Sequence, residues 1–372
     1  MEDARACLER IWRAGVAAVG GHAAVARALA AEEVPRPDRI LAVGKAAVEM
    51  ARAALDRYGA VPALAVTKHG HAREVAGLEI IESGHPVPDS ASLKAGAALV
   101  AGVESCAPGD HLLLLVSGGA SALAEAPEAG LTLDDVVAET RRLLASGADI
   151  AAMNARRREL SRIKGGRLLE GFAGARVTVL AISDVEGDGI GVIGSGIGQV
   201  PEDAPFAAVT RIVASNAHAR AACAAAARAE GLPVVTDEES LYADVADCAA
   251  RIGARLRAGP PGLHVWGGEP TVVLPESPGE GGRNQALALM LAREIAGRAD
   301  LAVLAAGTDG TDGPTDAAGA FVDGRSWEPG AEAALAAADS GGWLAARGLT
   351  FAPGPTGTNV MDLVLALKAA DG

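Results

Sequence analysis

The stretch HLLLLVSGGASAL, residues 111–123, decides the fold class of this chain. It begins as an unbroken apolar run, breaks at a Ser-Gly-Gly turn, and continues as a segment that suits a helix. An apolar run without polar alternation predicts a strand that is buried on both faces, as in a parallel sheet covered by helices. Similar runs precede helical segments elsewhere in the chain, so the sequence predicts layered α/β architecture.

The predicted elements alternate along the chain. The predicted strands are residues 39–43, 63–66, 78–82, 111–116, 176–182 and 210–214. The predicted helices are residues 45–58, 90–105, 132–145, 149–161 and 216–229.

A Gly-Pro-Pro-Gly loop at residues 259–262 is typical of a linker between units. After it come the apolar runs LHVW, TVVLP and LAVLAA, a helix at 283–297, and a closing segment at 358–368 that fits strand or helix. We therefore predict two domains, residues 1–258 and residues 259–372.

Composition excludes several classes of protein. The chain has 372 residues, half of them apolar, and a net charge of −14, so a nucleic-acid partner is not expected. No apolar run reaches the ~20 residues that a membrane span needs, and the charged N-terminus is unlike a signal peptide. The four scattered cysteines suit a reduced, cytoplasmic protein. We expect no membrane partner.

The turn after the first predicted strand places Lys45 at the start of a helix. Helix N-termini carry partial positive charge, so a lysine there favours an anion such as phosphate or carboxylate. The turn lacks the pattern of a Walker P-loop. The Ser117-Gly118-Gly119 turn could equally bind an anion through its backbone or be a plain tight turn.

A basic run at residues 153–171 stands out in an acidic protein. Asn154 and Lys164 are candidates for holding an anionic substrate, and the glycines after Lys164 leave it little steric cover. For Arg156 and Arg157 we favour a solvated helix face. Asp184 follows a predicted strand, which is a suitable place for a carboxylate that holds a metal.

Acidic and basic candidates also occur in the C-terminal part. Arg283 begins a predicted helix and is suited to bidentate recognition of phosphate or carboxylate. Glu269 is either a metal or hydroxyl contact or a loop surface charge. The stretch GTDGTDGPTDAAGA, residues 307–320, contains Asp309 and Asp312 in a loop that suits Mg²⁺ and a closely approaching ligand, although Asx-type turns would explain the same composition.

Other motifs carry less weight. The GxGxxG match at residues 189–194 does not leave a strand, which a dinucleotide fingerprint requires. His69, His71 and His85 lack the spacing of a metal site. No GxSxG elbow supports a serine hydrolase.

Taken together, the chain resembles the type II glycerate kinase family, the glycerate 2-kinases with a C-terminal MOFRL domain. The resemblance extends from about residue 40 to the C-terminus and is carried by VGKAA, TKHGH, GHPVPD, LLVSGGASAL, IKGGRL, ISDV, GGEPTV, GGRNQ, GTDGTDGPTDAAGA and GPTGTNVMDL.

The resemblance implies phosphorylation of D-glycerate to 2-phosphoglycerate with ATP and Mg²⁺. It also implies a larger Rossmann-like domain and a smaller MOFRL-type α/β domain with the active site in a cleft between them. The family's critical lysine and arginine fall on Lys45 and Arg283. Our own hypothesis adds candidate metal ligands, Asp184, Asp309 and Asp312, which would hold Mg²⁺ or orient the attacking hydroxyl. The candidate substrate or nucleotide contacts are Ser117, Gly118, Gly119, Ser121, Asn154, Lys164, Glu269, Asn284, Thr308, Thr311 and Asn359.

The chain departs from the family pattern at Ala120, Ala286, the loop 186–203 and the segment 339–343. A different small sugar acid therefore stays open as the substrate. The rival functions are an NAD(P)H-dependent hydroxypyruvate reductase and a binding protein without catalysis. The expected partners are a sugar acid and a nucleotide, and the oligomeric state, including a homo-oligomer, is left open.

Overall fold

The computed structural model describes residues 2–31, 33–145 and 150–370. Its helices are Glu2–Ala18 (α1), Gly21–Ala31 (α2), Ala47–Tyr58 (α3), Ser90–Glu104 (α4), Ala120–Leu123 (α5), Leu133–Ala145 (α6), Ile150–Glu159 (α7), Asn216–Ala229 (α8), Val245–Ala258 (α9), Arg283–Glu294 (α10), Ala331–Ala336 (α11) and Ser340–Ala345 (α12). Its strands are Arg39–Val43 (β1), Ala63–Lys68 (β2), Leu78–Ser83 (β3), His111–Val116 (β4), Arg176–Ile182 (β5), Ala207–Ala214 (β6), Val234–Glu239 (β7), Gly262–Gly268 (β8), Leu301–Gly307 (β9), Gly319–Asp323 (β10), Thr350–Phe351 (β11) and Asp362–Lys368 (β12).

The chain divides into two compact units. The parallel-sheet unit consists of residues 19–215 and 357–359. The mixed-sheet unit consists of residues 1–18, 216–356 and 360–372. The predicted boundary at 258/259 falls between α9 and β8, inside the mixed-sheet unit, because β7 pairs with β8 and α9 packs on α10.

The sheet of the parallel-sheet unit has the strand order β3-β2-β1-β4-β5-β6, and all its pairings are parallel. Every residue of β4 is buried, as its unbroken apolar run predicts. In this order the connections reverse direction between β1 and β4, and open α/β sheets bind ligands beside the carboxyl ends of the strands at such a point.

The sheet of the mixed-sheet unit has the order β11-β10-β9-β12-β8-β7. Only β7 and β8 pair in parallel, and the other neighbours are antiparallel. A core of apolar side chains from α9, α10 and β9 lies on this sheet. The closing segment, which fitted strand or helix, forms the central strand β12.

The prediction of two α/β domains with a larger Rossmann-like one is confirmed, and most predicted elements agree with the structure to within a few residues. The structure adds β7, which was not predicted, whereas TVVLP forms no strand beyond an isolated bridge at Thr271. Residue 149 of the predicted helix 149–161 lies outside the described residues. Among the described helices none is singly long and apolar enough to cross a membrane, although α1 and α2 pass that test as a bent pair.

Candidate active site

The loops after β1 and β4 are fastened to each other where the sheet reverses direction. The backbone N–H of Lys45 donates to the Gly118 carbonyl at 2.9 Å. The backbone N–H of Ala46 donates to Ser117 Oγ at 3.1 Å, so the buried serine hydroxyl satisfies the first turn of α3. Helix α3 begins at Ala47, so Lys45 lies in the turn before it and not in the helix.

The two glycines after β4 make room for two charged side chains. A Cβ atom at position 118 would lie 2.0 Å from Asp184 Oδ2, and one at position 119 would lie 3.3 Å from Lys45 Cγ. Gly119 also has φ of +84°, which favours glycine. Lys45 and Asp184 therefore lie against neighbouring glycines, close enough for the charge of Lys45 to act on Asp184, and each comes from a loop at the carboxyl end of the same sheet.

Burial dominates the electrostatics of Asp184. It raises the pKa of this carboxyl to about 6, and the positive charge of Lys45 opposes the rise. Asp184 is therefore ionised at neutral pH and protonated in mildly acidic solution. A carboxyl group with this pKa is suited to accepting a proton near pH 7.

A cavity of about 190 Å³ opens beside Asp184 within the parallel-sheet unit, and Lys45 is not among its lining residues. The predicted site residues that line it are Gly119, Ser121, Asn154, Lys164 and Asp184. The cavity is also lined by Glu125, Arg157 and Ser195, which the sequence analysis does not propose as site residues. His85 lines it as well.

Two buried polar groups shape the wall of this cavity. Ser195 Oγ donates to Asn154 Oδ1 at 2.8 Å and lies 2.8 Å from Ser121 Oγ, so three predicted or lining residues form one hydrogen-bonded chain. Lys164 forms an ion pair with Glu125, and both side chains are buried. The expectation that Lys164 has little steric cover is wrong, because the side chain is 2% exposed.

The solvated helix face predicted for Arg156 and Arg157 is correct for only one of them. Arg156 is exposed and pairs with Glu139 and Glu159. Arg157 is half-buried and lines the cavity, where burial lowers its pKa. Arg156, Arg157 and Arg158 follow one another at the end of α7, so the sequence does not show which arginine faces inwards.

In the mixed-sheet unit, Arg283 is oriented by two carboxylates. Its Nε and Nη2 donate to the two oxygens of Asp362 at 2.6 and 3.2 Å, and Nη2 lies 3.0 Å from Glu269 Oε1. Burial lowers the pKa of Arg283, but the charge and hydrogen bonds of Asp362, which is 1% exposed, outweigh burial and raise this pKa above its usual range. The sequence did not reveal Asp362, which belongs to the strand β12.

The Asp-rich loop holds the beginning of α10. Asp312 accepts the backbone N–H groups of Asn284 and Gln285 at 3.1 and 2.8 Å. Asp309 Oδ1 accepts from the backbone N–H and the hydroxyl of Thr311 at 3.0 Å each, which is an Asx-type turn. These bonds match the turn interpretation of the loop, and burial raises the pKa of Asp312 to about 6.

Thr308, Asn284 and Asn359 differ in their surroundings. Thr308 is buried, and its hydroxyl donates to the Met361 carbonyl and accepts from the Val360 N–H. Asn284 is buried, and its Oδ1 accepts no hydrogen bond from any residue that the structure describes. Asn359 lies in the short segment that groups with the parallel-sheet unit.

The donor set fits Mg²⁺ better than a transition metal. No group of three or more His, Cys, Asp or Glu side chains that could hold a metal occurs among the described residues. Mg²⁺ needs fewer protein ligands, because it keeps several waters and is often held by one or two carboxylates together with substrate phosphates. The Asp184 carboxylate, which faces the cavity, fits that mode of binding.

Comparisons with known proteins agree with this architecture. The chain matches the family models "Domain of unknown function (DUF4147)" over residues 7–229 and "MOFRL family" over residues 262–362. It is 34% identical to "Glycerate 2-kinase" of Pyrococcus horikoshii, with 88% of this chain and 86% of that protein covered. It is 35% identical to a "Putative hydroxypyruvate reductase" of Agrobacterium vitis, with 87% and 97% covered. The crystal structure of a glycerate kinase from Thermotoga maritima matches with a TM-score of 0.89 at 30% identity, covering 99% of this chain and 100% of that one.

Proposed function

Because the chain belongs to the type II glycerate kinase family with a C-terminal MOFRL domain, we propose that it phosphorylates the 2-hydroxyl of D-glycerate with ATP and Mg²⁺. The observation that best supports this function is that Lys45 and Asp184 lie against the neighbouring glycines Gly119 and Gly118 and interact electrostatically. Phosphoryl transfer depends mainly on positioning and charge stabilisation, and this arrangement supplies a cation, a carboxylate and close backbone approach.

Lys45 stabilises the negative charge that develops on the transferring phosphoryl group. Its backbone is fixed by the bond to Gly118, so the ammonium group extends from a rigid turn. Preorganised positive charge of this kind stabilises the transition state without reorganisation during the reaction. When bound, Mg²⁺ neutralises phosphate oxygens.

Asp184 orients the attacking hydroxyl of the acid and accepts its proton. A pKa of about 6 leaves it ionised at neutral pH while keeping it basic enough for that role. In the alternative assignment Asp184 is a ligand of Mg²⁺. The two roles are distinguished by Asp184→Asn: loss of kcat at an unchanged Mg²⁺ requirement indicates the base, and a raised Mg²⁺ requirement indicates the ligand.

Arg283 is proposed as the second phosphate- or carboxylate-binding cation. Asp362 fixes its guanidinium through two hydrogen bonds, which a lysine cannot reproduce. Glu269 stays a prediction as a further contact, and so do Asn284, Thr308, Thr311, Asn359, Asp309 and Asp312.

The direct test of the proposed mechanism is Lys45→Ala. We expect kcat for ADP formation with D-glycerate to fall ~10²–10³-fold, the effect of removing one preorganised charge-stabilising group. Lys94→Ala is the matched control, because Lys94 is exposed on α4 and lies away from the cavity lining. Near wild-type turnover by a folded Lys45→Ala protein would remove Lys45 from the mechanism.

The rival reductase function has one observation in its favour, the name of the relative from Agrobacterium vitis. Against it, the turn after β1 carries Gly44 and Lys45 without the glycine pattern of a dinucleotide site. The GxGxxG match follows one short 3-10 turn and runs into a second at Ile193–Gly196, so it does not join a strand to a helix. Oxidation of NADH or NADPH by hydroxypyruvate in the presence of the protein would favour the reductase.

The cellular setting is also a proposal. The cysteines Cys7, Cys106, Cys223 and Cys248 are free and buried, which suits the reducing cytoplasm. The partners that we propose are the acid and the nucleotide.

A further inference from the structure

Arg157 lines the cavity, and the proposed mechanism gives its positive charge no role. The side chain is half-buried and lines the cavity. No residue that the structure describes accepts a hydrogen bond from its guanidinium or forms a close ion pair with it. Guanidinium groups have five donors and are rarely buried without an acceptor, so this one points to an anionic ligand.

The acidic side chains around Arg157 are already paired with other cations. Glu125, whose charge acts on Arg157, forms its close ion pair with Lys164. Glu139, which also lines the cavity, is held by Arg142 and Arg156, and these bonds lower its pKa to about 2. The positive charge of Arg157 is therefore left for a ligand.

A second donor lies on the same face of the helix. Asn154 precedes Arg157 by three residues on α7, so the two side chains are neighbours. Asn154 is 2% exposed and lines the cavity, and its Nδ2 has no hydrogen-bond partner within the described parts of the chain. Its Oδ1 accepts from Ser195 Oγ at 2.8 Å, which fixes the amide so that Nδ2 is the atom left for a ligand.

We propose that Arg157 and Asn154 bind the carboxylate of the acid substrate and select acids against neutral polyols. The inference rests on the proposed function and adds the specificity-determining subsite. Arg157, Asp184 and Gly119 line the same cavity, so the proposal assigns the carboxylate of the acid to Arg157 and its hydroxyl groups to Asp184. A planar guanidinium beside an amide donor matches the two oxygens of a carboxylate.

The test compares D-glycerate with its neutral amide, D-glyceramide, in the wild type and in Arg157→Met. We expect kcat/KM for D-glycerate to fall roughly 10- to 150-fold, mainly through KM, since charged hydrogen bonds are lost. KM for ATP and kcat/KM for D-glyceramide should stay within about twofold of their wild-type values. The ratio of kcat/KM for D-glycerate to that for D-glyceramide therefore falls. Arg157→Lys should recover only part of that preference.

Arg156→Met is the matched control, because it removes the same charge from the neighbouring position outside the cavity lining. It should leave the preference for the acid unchanged. Asn154→Asp should weaken the binding of D-glycerate more than Asn154→Ala does, because it places a second negative charge beside the carboxylate of the acid. An unchanged preference for the acid in folded Arg157→Met would overturn the proposal, and so would an equal loss in Arg156→Met.

Calorimetric titration of D-glycerate without nucleotide separates this inference from the proposed function. Binding by the wild type that is lost in Arg157→Met supports the subsite even if no product forms. Phosphorylation of D-glycerate that is indifferent to Arg157 overturns the subsite and leaves the proposed function standing. A wild type that neither binds nor phosphorylates D-glycerate overturns both. If Arg157→Met does not fold, Arg157→Lys and Arg157→Gln provide the same comparisons.

Discussion

Lys45 and Asp184 carry opposite charges on loops that follow two strands of one parallel sheet. Both lie against the glycines that follow the strand between them, β4. A side chain at position 118 would collide with the Asp184 carboxylate, so the glycine is required by the site and not only by the turn. Gly118 and Gly119 therefore leave the space in which Asp184 and Lys45 lie.

The pKa of Asp184 predicts how activity depends on pH. Burial raises it to about 6 while Lys45 opposes the rise, so the reactive carboxylate form is lost as the pH falls through 6. We expect kcat/KM to fall about tenfold per pH unit below that value, since a single protonation removes the base. A profile measured from pH 5 to 8 checks this.

Asp184→Asn is the control for this profile, and it should be slow at every pH and lack the acidic limb. A wild-type profile that stays flat between pH 5 and 7 would contradict the assignment of Asp184 as the base.

At the scale of elements, the buried ion pair of Lys164 and Glu125 ties the turn after α7 to the segment after α5. Breaking such a pair from one side leaves an uncompensated buried charge and typically costs about 3–5 kcal/mol. Lys164→Met should lower the free energy of unfolding by that order, as measured by urea denaturation at pH 7.

The double variant Lys164→Met with Glu125→Leu should recover most of the loss, because no charge is then left buried. The exposed pair of Arg13 and Glu9 is the control, and Arg13→Met should change stability by less than about 1 kcal/mol. Equal losses in the single and double variants would show that packing, and not charge, determines the effect.

The elements also show what a single sequence reveals. Strands β1, β4 and β5 were predicted to the residue, because burial on both faces leaves an unbroken apolar run. Strand β7 was missed because its sequence, VVTDEE, is half acidic. The sequence does not show which strands of the mixed sheet pair in parallel and which pair antiparallel. Strands covered on both faces lack alternation of polar and apolar residues in parallel and in antiparallel sheets alike.

The site was predictable where local geometry determines it. Lys45 and Asp184 follow strand ends, and strand ends of a parallel sheet share one edge. The partners Glu125 and Asp362 were not foreseen, because both pairings join residues distant in the chain. The inward position of Arg157 depends on packing that the run of three arginines in α7 does not reveal.

At the scale of the whole molecule, the mixed-sheet unit is assembled from separate segments of the chain. It contains α1, α8, β7 and α9 in addition to residues 260–356 and 360–372. We therefore expect a fragment of residues 259–372 to lack a cooperative thermal transition, because it loses strand β7 and the helices that cover apolar surface.

Residues 19–215 should melt cooperatively by circular dichroism, since they contain the whole parallel sheet. A cooperative transition in the fragment 259–372 would instead support a domain boundary at 258/259.

The measurement that tests the central claim most directly is coupling of the reaction to enolase, with D-glycerate, ATP and Mg²⁺ and no phosphoglycerate mutase. Enolase consumes 2-phosphoglycerate and not 3-phosphoglycerate, so the signal reports both the reaction and the position of the phosphate. We predict a signal without mutase that is lost in Lys45→Ala. A signal that appears only after mutase is added, or no signal from folded protein that binds ATP, would contradict phosphorylation of D-glycerate at its 2-hydroxyl.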